Sequence, residues 1–257
     1  MNRSTVFITG AGAGIGLEAA RLFHSHGWYV GIFDVNPASA DAAATALGGD
    51  SCYAGPVDVR QPDSIQSALN AFAEQTGGRL DVLINNAGVL RVSPFEEVAL
   101  DVHHAQIEVN IKGLVSCTHL AFPLLRDTPG ARVINMASAS ASAQFGVPDF
   151  ATYSATKFFV RGLTEALNIE WRRHDIRVCD IWPPFVKTAM VEGVESDVIE
   201  RMGVNLMPDQ VAEVIWKAAH GRKVHWPVGL QFKVLRSMLQ HAPYSVNRAI
   251  MRFLTGY

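Results

Sequence analysis

The sequence has few cysteines, no long apolar run and no low-complexity linker, and each of these absences excludes a class of protein. Three cysteines, Cys52, Cys117 and Cys179, lie far apart and lack the spacing of a metal site. Their odd number favours reduced thiols over a disulfide framework. No segment reaches the roughly 18 apolar residues of a transmembrane helix, and the opening MNRSTVFITG already leads into a predicted strand. We therefore expect a cytoplasmic protein without a signal peptide or a metal site.

Acidic residues are missing from one end of the chain, although the whole is nearly neutral. The formal net charge is −2, which argues against nucleic acid as a partner. From Val214 to Tyr257 there is no Asp or Glu. The same segment contains seven basic residues, namely Lys217, Arg222, Lys223, Lys233, Arg236, Arg248 and Arg252. Such asymmetry is typical of a tail that meets a membrane surface or an acidic partner.

Short apolar segments alternate with helical patterns along the 257 residues. The predicted strands are Thr5 to Thr9, Tyr29 to Asp34, Ser51 to Val57, Val82 to Asn85, Arg132 to Met136 and Arg177 to Trp182. Strands that are apolar on both faces belong to a parallel sheet covered by helices on both sides. Because no linker or repeat divides the chain, we predict one doubly wound α/β, Rossmann-like domain. We place its dinucleotide-binding and catalytic part at 1–228 and a C-terminal helical extension at 229–257.

A glycine-rich turn follows the first predicted strand. Gly10, Gly14 and Gly16 lie in TGAGAGIG, and the helical segment LEAARLFHSHG follows at once. Small residues let the backbone approach a pyrophosphate, whose charge is met by free N–H groups at the helix N-terminus. The alternative is a glycine-rich turn without a ligand, but the order of strand, loop and helix favours a dinucleotide site.

Asp34 ends the second predicted strand, 18 residues after Gly16. An acid at this place accepts hydrogen bonds from the adenosine ribose of a dinucleotide, and it would repel a 2′-phosphate. Position 13 is alanine and no Lys or Arg follows Asp34 closely, so the sequence favours NAD over NADP. The alternative role for Asp34 is to cap the next helix. Asp58 and Val59, after the third strand, are weaker candidates for the adenine site.

Tyr153 and Lys157 stand four residues apart in YSATK, at the start of a predicted helix. This spacing places both side chains on one helix face. Because a fixed ammonium stabilises a phenolate, we predict that Lys157 lowers the pKa of Tyr153 and makes it a general acid and base. Such a pair also arises by chance in roughly one chain in ten of this composition, so alone it is a weak signal.

Several motifs together resemble the short-chain dehydrogenase/reductase family, over nearly the whole chain to about residue 225. They are TGAGAGIG at 9–16, Asp34, Asn85-Asn86-Ala87-Gly88, Asn110 in VNIKG, Ser138, YSATK at 153–157 and Thr188 in PPFVKT. The resemblance implies an NAD-dependent oxidoreductase acting on alcohols or ketones. It also implies homodimers or homotetramers that associate through the helices containing Asn110 and Tyr153.

The resemblance assigns roles to single residues as well. Tyr153 would be the general acid and base, Lys157 a ligand of the nicotinamide ribose, Ser138 the group that polarises the carbonyl, and Asn110 the holder of a relay water. The cofactor would contact Gly10, Gly14, Ile15, Gly16, Asp34, Asp58, Val59, Asn86, Gly88, Lys157, Val186 and Thr188. The alternative is local backbone bonding by Asn110 and turn chemistry at Ser138.

Two positions depart from the family pattern. The family usually places the serine 13 residues before the tyrosine, whereas Ser138 precedes Tyr153 by 15 and Ser140 stands at the usual distance. We favour Ser138, because it directly follows the fifth strand and a longer loop absorbs the difference, and Ser140 stays an alternative. Pro184 stands where glycine commonly follows Pro183, which restricts the backbone beside the nicotinamide.

The segment from Phe185 to Met207 follows the sixth strand and is predicted to form a lid over the substrate. Its apolar residues are Met190, Val191, Val194, Val198, Ile199, Met202, Leu206 and Met207. With Phe145 they indicate an apolar pocket for a lipophilic secondary alcohol or ketone. Core-facing sides of helices would give the same pattern.

From Gly229 to Tyr257, apolar residues recur at helical spacing among basic ones. They are Phe232, Leu235, Met238, Leu239, Val246, Ile250, Phe253 and Leu254. A helix in a membrane interface, a helix packed on the protein body and a subunit contact all produce this pattern. Two other functions therefore stay open: a non-catalytic NAD-binding regulator, and a membrane-associated scaffold that uses the basic tail.

Overall fold

In residues 3–141, 146–194 and 196–257, which the computed structural model describes, the chain forms a seven-stranded sheet in the order β3-β2-β1-β4-β5-β6-β7. The strands are β1 (Thr5–Thr9), β2 (Tyr29–Asp34), β3 (Cys52–Pro56), β4 (Val82–Asn85), β5 (Arg132–Met136), β6 (Arg177–Trp182) and β7 (His225–Pro227). Every neighbouring pair is parallel. The predicted doubly wound fold is confirmed, and of these strands β7 is the one that the sequence analysis did not predict.

Helices cover both faces of the sheet. They are α1 (Gly14–Ser25), α2 (Pro37–Leu47), α3 (Pro62–Thr76), α4 (Leu100–Ile107), α5 (Leu114–Arg126), α6 (Ala151–Glu170), α7 (Asp197–Met202), α8 (Pro208–His220), α9 (Leu230–His241) and α10 (Tyr244–Thr255). Phe23 of α1 and Ile215 of α8 are buried against one face, and Phe72 of α3 and Leu125 of α5 against the other. Both faces are therefore dry, which explains why the strands lack polar alternation.

Local sequence signals determine where several helices begin and end. Pro37 and Pro62 open α2 and α3, because proline has no N–H to lose in a first helical turn. The Asn36 side chain accepts a hydrogen bond from the backbone N–H of Ala38 at 3.1 Å. Gly77 ends α3 with a φ of +65°, a left-handed conformation that favours glycine.

The order of the strands reverses at β1, whose neighbours are β2 on one side and β4 on the other. In sheets of this kind, ligands bind beyond the carboxyl ends of the strands at such a switch point. The chain segments that follow β1 and β4 are therefore the expected walls of a binding site.

The C-terminal segment forms two helices, and both pack on the body of the protein. Phe232 of α9 is buried against Trp182 at the end of β6, and α10 lies against α7. The helical extension is thus present, while the proposed limits of 1–228 and 229–257 stay a prediction. Within the described residues, the helices fall short of the length and apolar character that a bilayer crossing requires.

Candidate active site

A cleft opens at the switch point between β1 and β4. Most of the residues predicted to contact a cofactor line it, namely Gly10, Gly14, Ile15, Asp34, Asp58, Val59, Asn86, Gly88 and Thr188. The fold thus brings together positions spread over nearly 180 residues of sequence. Within the same described residues, no cluster of His, Cys, Asp and Glu has the make-up of a metal site.

The glycine-rich turn is shaped by close backbone contacts. Gly10 and Gly14 have φ values of +65° and +56°, which side chains of other residues disfavour. A Cβ atom on Gly16 would lie 2.2 Å from the carbonyl oxygen of Gly10. The Asn86 amide donates to that same oxygen at 2.8 Å and to the Thr9 carbonyl at 3.0 Å. Gly16 therefore permits this close approach because it has no side chain, and the Asn86 amide fixes the turn through its two hydrogen bonds.

The first turn of α1 is suited to an anion. Its N-cap residue, Ala13, offers no capping side chain, and no acidic residue lies in the first turn. Free N–H groups and the positive end of the helix dipole therefore point toward the cleft. These features fit the pyrophosphate of a dinucleotide, as the sequence predicted.

Asp34 lies at the far end of the cleft and is partly bonded to the loop. One carboxylate oxygen accepts a hydrogen bond from the Gly12 N–H at 2.9 Å, and the other accepts from the Asn36 N–H at 3.0 Å. These bonds fix the position of the carboxylate at the carboxyl end of β2. The folded chain therefore places the Asp34 carboxylate at this end of the cleft.

The sequence analysis did not include Arg60, which also lines the cleft. Its guanidinium pairs with the Asp58 carboxylate at 2.6 Å. That hydrogen bond lowers the pKa of Asp58. The sequence signal that could have predicted this pair is a basic residue, Arg60, two positions after the acid Asp58, which follows β3. The Asp58 charge facing the cleft is thus largely neutralised by its own neighbour.

A second cavity continues from the cleft and shares Ile15, Thr188 and Met190 with it. Ser138, Ser140 and Tyr153 line this cavity together with Val186. Val186 was predicted to contact the cofactor, and the structure places it in this second cavity. Polar side chains of the catalytic prediction therefore meet in the cavity that adjoins the cleft.

Tyr153 lies near the N-terminus of α6 and is partly buried in the cavity wall. Burial raises the pKa of Tyr153 to about 12, and the Ser138 side chain offsets part of that rise. In the folded chain alone, the predicted lowering of this pKa by Lys157 is therefore wrong. The ammonium nitrogen lies 5.5 Å from the centre of the phenol ring, and desolvation is the largest cause of the raised pKa.

Lys157 is buried one helical turn further along α6. Its Nζ atom donates a hydrogen bond to the Met136 carbonyl oxygen at 2.7 Å, at the end of β5. Burial lowers the pKa of Lys157 to about 8. An amine with this pKa exchanges a proton near neutral pH, a property that suits a proton-transfer site.

Asn110 lies beneath the site in a stretch of wide π-helical turns, Glu108–Gly113. Its side chain accepts from the Val89 N–H at 2.8 Å and donates to the Val89 carbonyl at 2.9 Å. The same amide donates to the Thr156 hydroxyl at 3.2 Å. Asn110 thus ties the segment after β4 to the helix that contains Tyr153. Irregular turns of this kind are frequent at functional sites.

The two candidate serines occupy different environments. Ser138 lowers the pKa of the Tyr153 phenol, and its Oγ atom accepts a hydrogen bond from the Ser140 N–H at 3.1 Å. The Ser140 hydroxyl is buried and has no hydrogen-bond partner in the described part of the chain. Both serines border the cavity, but it is Ser138 that acts on the phenol.

The remaining wall of the second cavity is apolar and comes from several parts of the chain. Of the predicted lid, Phe185, Met190, Val191 and Val198 line it, whereas Leu206 packs in the main core and Met207 is exposed. The sequence analysis missed Leu90, Val147, Phe150 and Met251 as lining residues, and it did not connect Phe232, Leu235 and Leu239 of the tail with the pocket. Phe145 and the side chains of Met202 and Leu254 lie outside the part of the chain that the structure describes.

A cleft at the switch point of a parallel sheet that adjoins a cavity lined by a phenol and a serine is typical of an oxidoreductase with a nucleotide-binding Rossmann-like fold. The family model described as short chain dehydrogenase matches residues 4–199. The chain therefore belongs to the short-chain dehydrogenase family, as the sequence motifs indicated.

Relatives in this family act as oxidoreductases. Oxidoreductase UcpA of Escherichia coli strain K12 is 35% identical over 191 residues, which cover 74% of this chain and 72% of that protein. Cyclohexanol dehydrogenase of an Acinetobacter species is 31% identical, with coverage of 83% and 86%. The crystal structure of a 3-ketoacyl-(acyl-carrier-protein) reductase from Brucella melitensis, complexed with NADH, is 29% identical and superposes with a TM-score of 0.79, covering 88% of this chain and 96% of that one.

Proposed function

We propose that the protein transfers a hydride between NAD and a lipophilic secondary alcohol or ketone, with Tyr153 as the general acid and base. The observation that carries this proposal is that Tyr153 and Ser138 line the same cavity, which adjoins the cleft, and that Ser138 lies close enough to lower the pKa of the Tyr153 phenol. A substrate oxygen in the inner cavity would lie beside both hydroxyl groups. The reacting carbon would then face the cleft that accommodates a dinucleotide.

Each polar residue has a part in this chemistry. Ser138 would hold the substrate oxygen by a hydrogen bond, and the Tyr153 hydroxyl would take or return its proton. Lys157 would bind the nicotinamide ribose, while Asn110 would hold the relay water behind Lys157 and brace the helix. When bound, the nicotinamide would supply or accept the hydride, and its oxidised form adds a positive charge that favours the phenolate. Positioning and electrostatics would account for most of the rate.

The lining of the inner cavity supports a lipophilic substrate. Its polar side chains among the described residues are Ser138, Ser140, Tyr153 and Thr188, and the other lining residues are apolar. Apolar pockets discriminate by burying apolar area and reject groups that they cannot hydrogen-bond. NADH fluorescence over a panel of steroid, cyclic, long-chain and small polar alcohols tests this. We expect turnover of the cyclic or long-chain members, and a preference for the small polar alcohols would contradict it.

Asp34 is expected to set the preference for NAD. A carboxylate beside a 2′-phosphate costs several kcal/mol, so kcat/KM for NADP should be about 100-fold below that for NAD. Replacing Asp34 with serine removes the charge and should reduce this ratio to about tenfold or less. Initial rates with both cofactors give the ratio.

The exposed acid Asp41 on α2 provides the matched control for this prediction. Asp41→Ser removes a charge of the same sign without touching the cleft. It should leave the ratio unchanged. Equal use of the two cofactors by the unaltered protein would contradict the NAD assignment.

Ser138 and Ser140 are expected to differ in their effect on turnover. Because Ser138 lowers the pKa of the phenol, whereas the Ser140 hydroxyl has no hydrogen-bond partner in the described part of the chain, Ser138→Ala should lower kcat by about 10²-fold. Ser140→Ala should lower it by less than about fivefold, since it removes a hydroxyl without a partner. Steady-state rates on one alcohol settle the comparison, and the reverse order would assign the role to Ser140.

A further inference from the structure

Helix α9 presents an apolar stripe to solvent in addition to the one that it buries. Phe232 and Leu239 face the protein, and Phe232 packs on Trp182. On the opposite side, Leu230 and Met238 are 77% and 67% exposed. Val234 lies between them at the four-residue spacing that aligns side chains along one helix face. A globular surface helix normally has a single apolar face.

Helix α10 repeats this arrangement. Asn247 and Thr255 are buried, whereas Val246 and Phe253 lie on the opposite side, where Phe253 is 76% exposed. The two helices are consecutive and are joined by a hydrogen bond from the Asn247 amide to the Leu239 carbonyl at 2.9 Å. We call their exposed apolar side chains, Leu230, Val234, Met238, Val246 and Phe253, the outer tail surface. Several large apolar side chains exposed on adjacent elements mark an interaction site rather than ordinary surface.

The two helices of the outer tail surface carry basic but no acidic side chains. Lys233, Arg248 and Arg252 are all exposed on them, and no acidic residue occurs between Val214 and Tyr257. Among the described residues, acids of neighbouring elements reach the C-terminal end of α10, where Asp197 pairs with Arg201 at 3.1 Å and Asp149, Glu96 and Glu97 lie near Tyr257. The two helices themselves therefore combine exposed apolar area with an excess of positive charge.

The geometry points to an anionic lipid surface as the partner of the outer tail surface. Helices with exposed apolar stripes beside Lys and Arg lie in the membrane interface, where anionic headgroups attract the cations. A second copy of the chain fits less well, because a two-fold contact brings each surface onto itself and would place like charges together. Net positive charge without acids is complementary to phosphate-rich lipid.

The position of this surface gives it a consequence for access. The same two helices also contribute to the wall of the inner cavity, through Leu235 and Leu239 of α9 and Met251 of α10. A membrane on the outside would thus lie one helix thickness from the substrate pocket. This access route rests on the proposed function, whereas binding of the surface to lipid does not.

Sedimentation with vesicles tests the proposal on the full chain. Vesicles of phosphatidylcholine with phosphatidylserine should pellet the protein with at least about tenfold higher affinity than phosphatidylcholine alone. The triple substitution Lys233→Gln, Arg248→Gln and Arg252→Gln should remove most of that difference. The apolar substitutions Leu230→Gln, Met238→Gln and Phe253→Gln should lower binding to anionic vesicles by about tenfold or more.

Matched controls lie elsewhere on the surface. Leu100→Gln with Ile169→Gln changes apolar residues that are 68% and 69% exposed, and Arg172→Gln with Arg173→Gln removes exposed charge from the end of α6. These variants should bind vesicles as the unaltered protein does, and circular dichroism checks that all variants fold. Equal recovery in the supernatant with and without anionic vesicles would overturn the proposal. So would loss of binding in the controls, or self-association that the tail substitutions abolish without any vesicle binding.

A kinetic measurement separates this proposal from the enzymatic one. With a lipophilic alcohol delivered in anionic vesicles, the tail variants should raise KM by about tenfold while kcat is unchanged. KM for a water-soluble alcohol should be unaffected. A protein that pellets with vesicles but turns over no alcohol would contradict the proposed function alone, and an active protein that ignores vesicles would contradict the lipid surface alone.

Discussion

Replacing Tyr153 with phenylalanine is expected to lower kcat by about 10²–10⁴-fold, which is the usual contribution of a positioned general acid and base. The phenyl ring fills the same volume, so the cavity wall and the packing on Phe150 should persist. Affinity for NADH should change by less than about threefold, since Tyr153 lines the inner cavity and not the dinucleotide cleft. Stopped-flow or steady-state absorbance of NADH gives the rate, and fluorescence titration gives the affinity.

The chain offers a matched control in Tyr257, whose hydroxyl donates to Asp149 on the surface. Tyr257→Phe removes an exposed phenol that does not line the cavity and should leave kcat within about twofold. Full turnover in Tyr153→Phe would remove the mechanistic role assigned to this residue. Absence of turnover in the unaltered protein, combined with tight NADH binding, would favour the non-catalytic regulator.

Replacing Lys157 with methionine should lower kcat/KM by about 10²-fold or more and yet stabilise the fold. The amine is buried, and burial lowers its pKa to about 8. A charge held in such surroundings is costly, and an apolar side chain of similar length removes that cost. At pH 7, without cofactor, we expect the free energy of unfolding in urea to rise by about 1–3 kcal/mol.

The gain in stability should depend on pH. The folded chain releases the Lys157 proton near pH 8, whereas the ordinary value for lysine is 10.5. Between these values the unfolded chain binds more protons, so the stability of the unaltered protein rises with pH. The advantage of Lys157→Met is therefore complete below pH 8 and shrinks as the pH approaches 10.5. Lys217→Met, on the exposed side of α8, should change neither the stability nor its pH dependence. If Lys157→Met raised the stability equally at every pH, burial of the charged amine would not be the cause.

Much of the fold could be read from the sequence because its strands carry strong local signals. Five of the predicted strands agree with the observed limits, from β1 at Thr5–Thr9 to β6 at Arg177–Trp182, and β3 is shorter by one residue at each end. Strand β7 was not predicted, because its three residues, His225–Pro227, are too few to show an alternating or apolar pattern. Its place is set by tertiary contacts, since His225 Nδ1 bonds the buried Asp180 carboxylate at 2.7 Å.

The site was predictable where residues act through spacing along one element, and less so where burial decides. Tyr153 and Lys157 lie on one face of α6, as four-residue spacing requires. The direction of the Tyr153 pKa could not be read from that spacing, because it depends on how much water the fold removes from the phenol. The tail was recognised as amphipathic, but only the structure places Leu235 and Leu239 in the pocket wall.

The family model ends at residue 199, whereas part of the pocket wall comes from Phe232, Leu235, Leu239 and Met251. Under the proposed function, the catalytic hydroxyls and part of the substrate boundary are thus encoded in separate stretches of the gene. Grafting the segment after residue 228 from another member of the family would redesign selectivity while leaving the proton-transfer apparatus intact. A chimaera of this kind would retain the chemistry of one parent and take on part of the substrate range of the other.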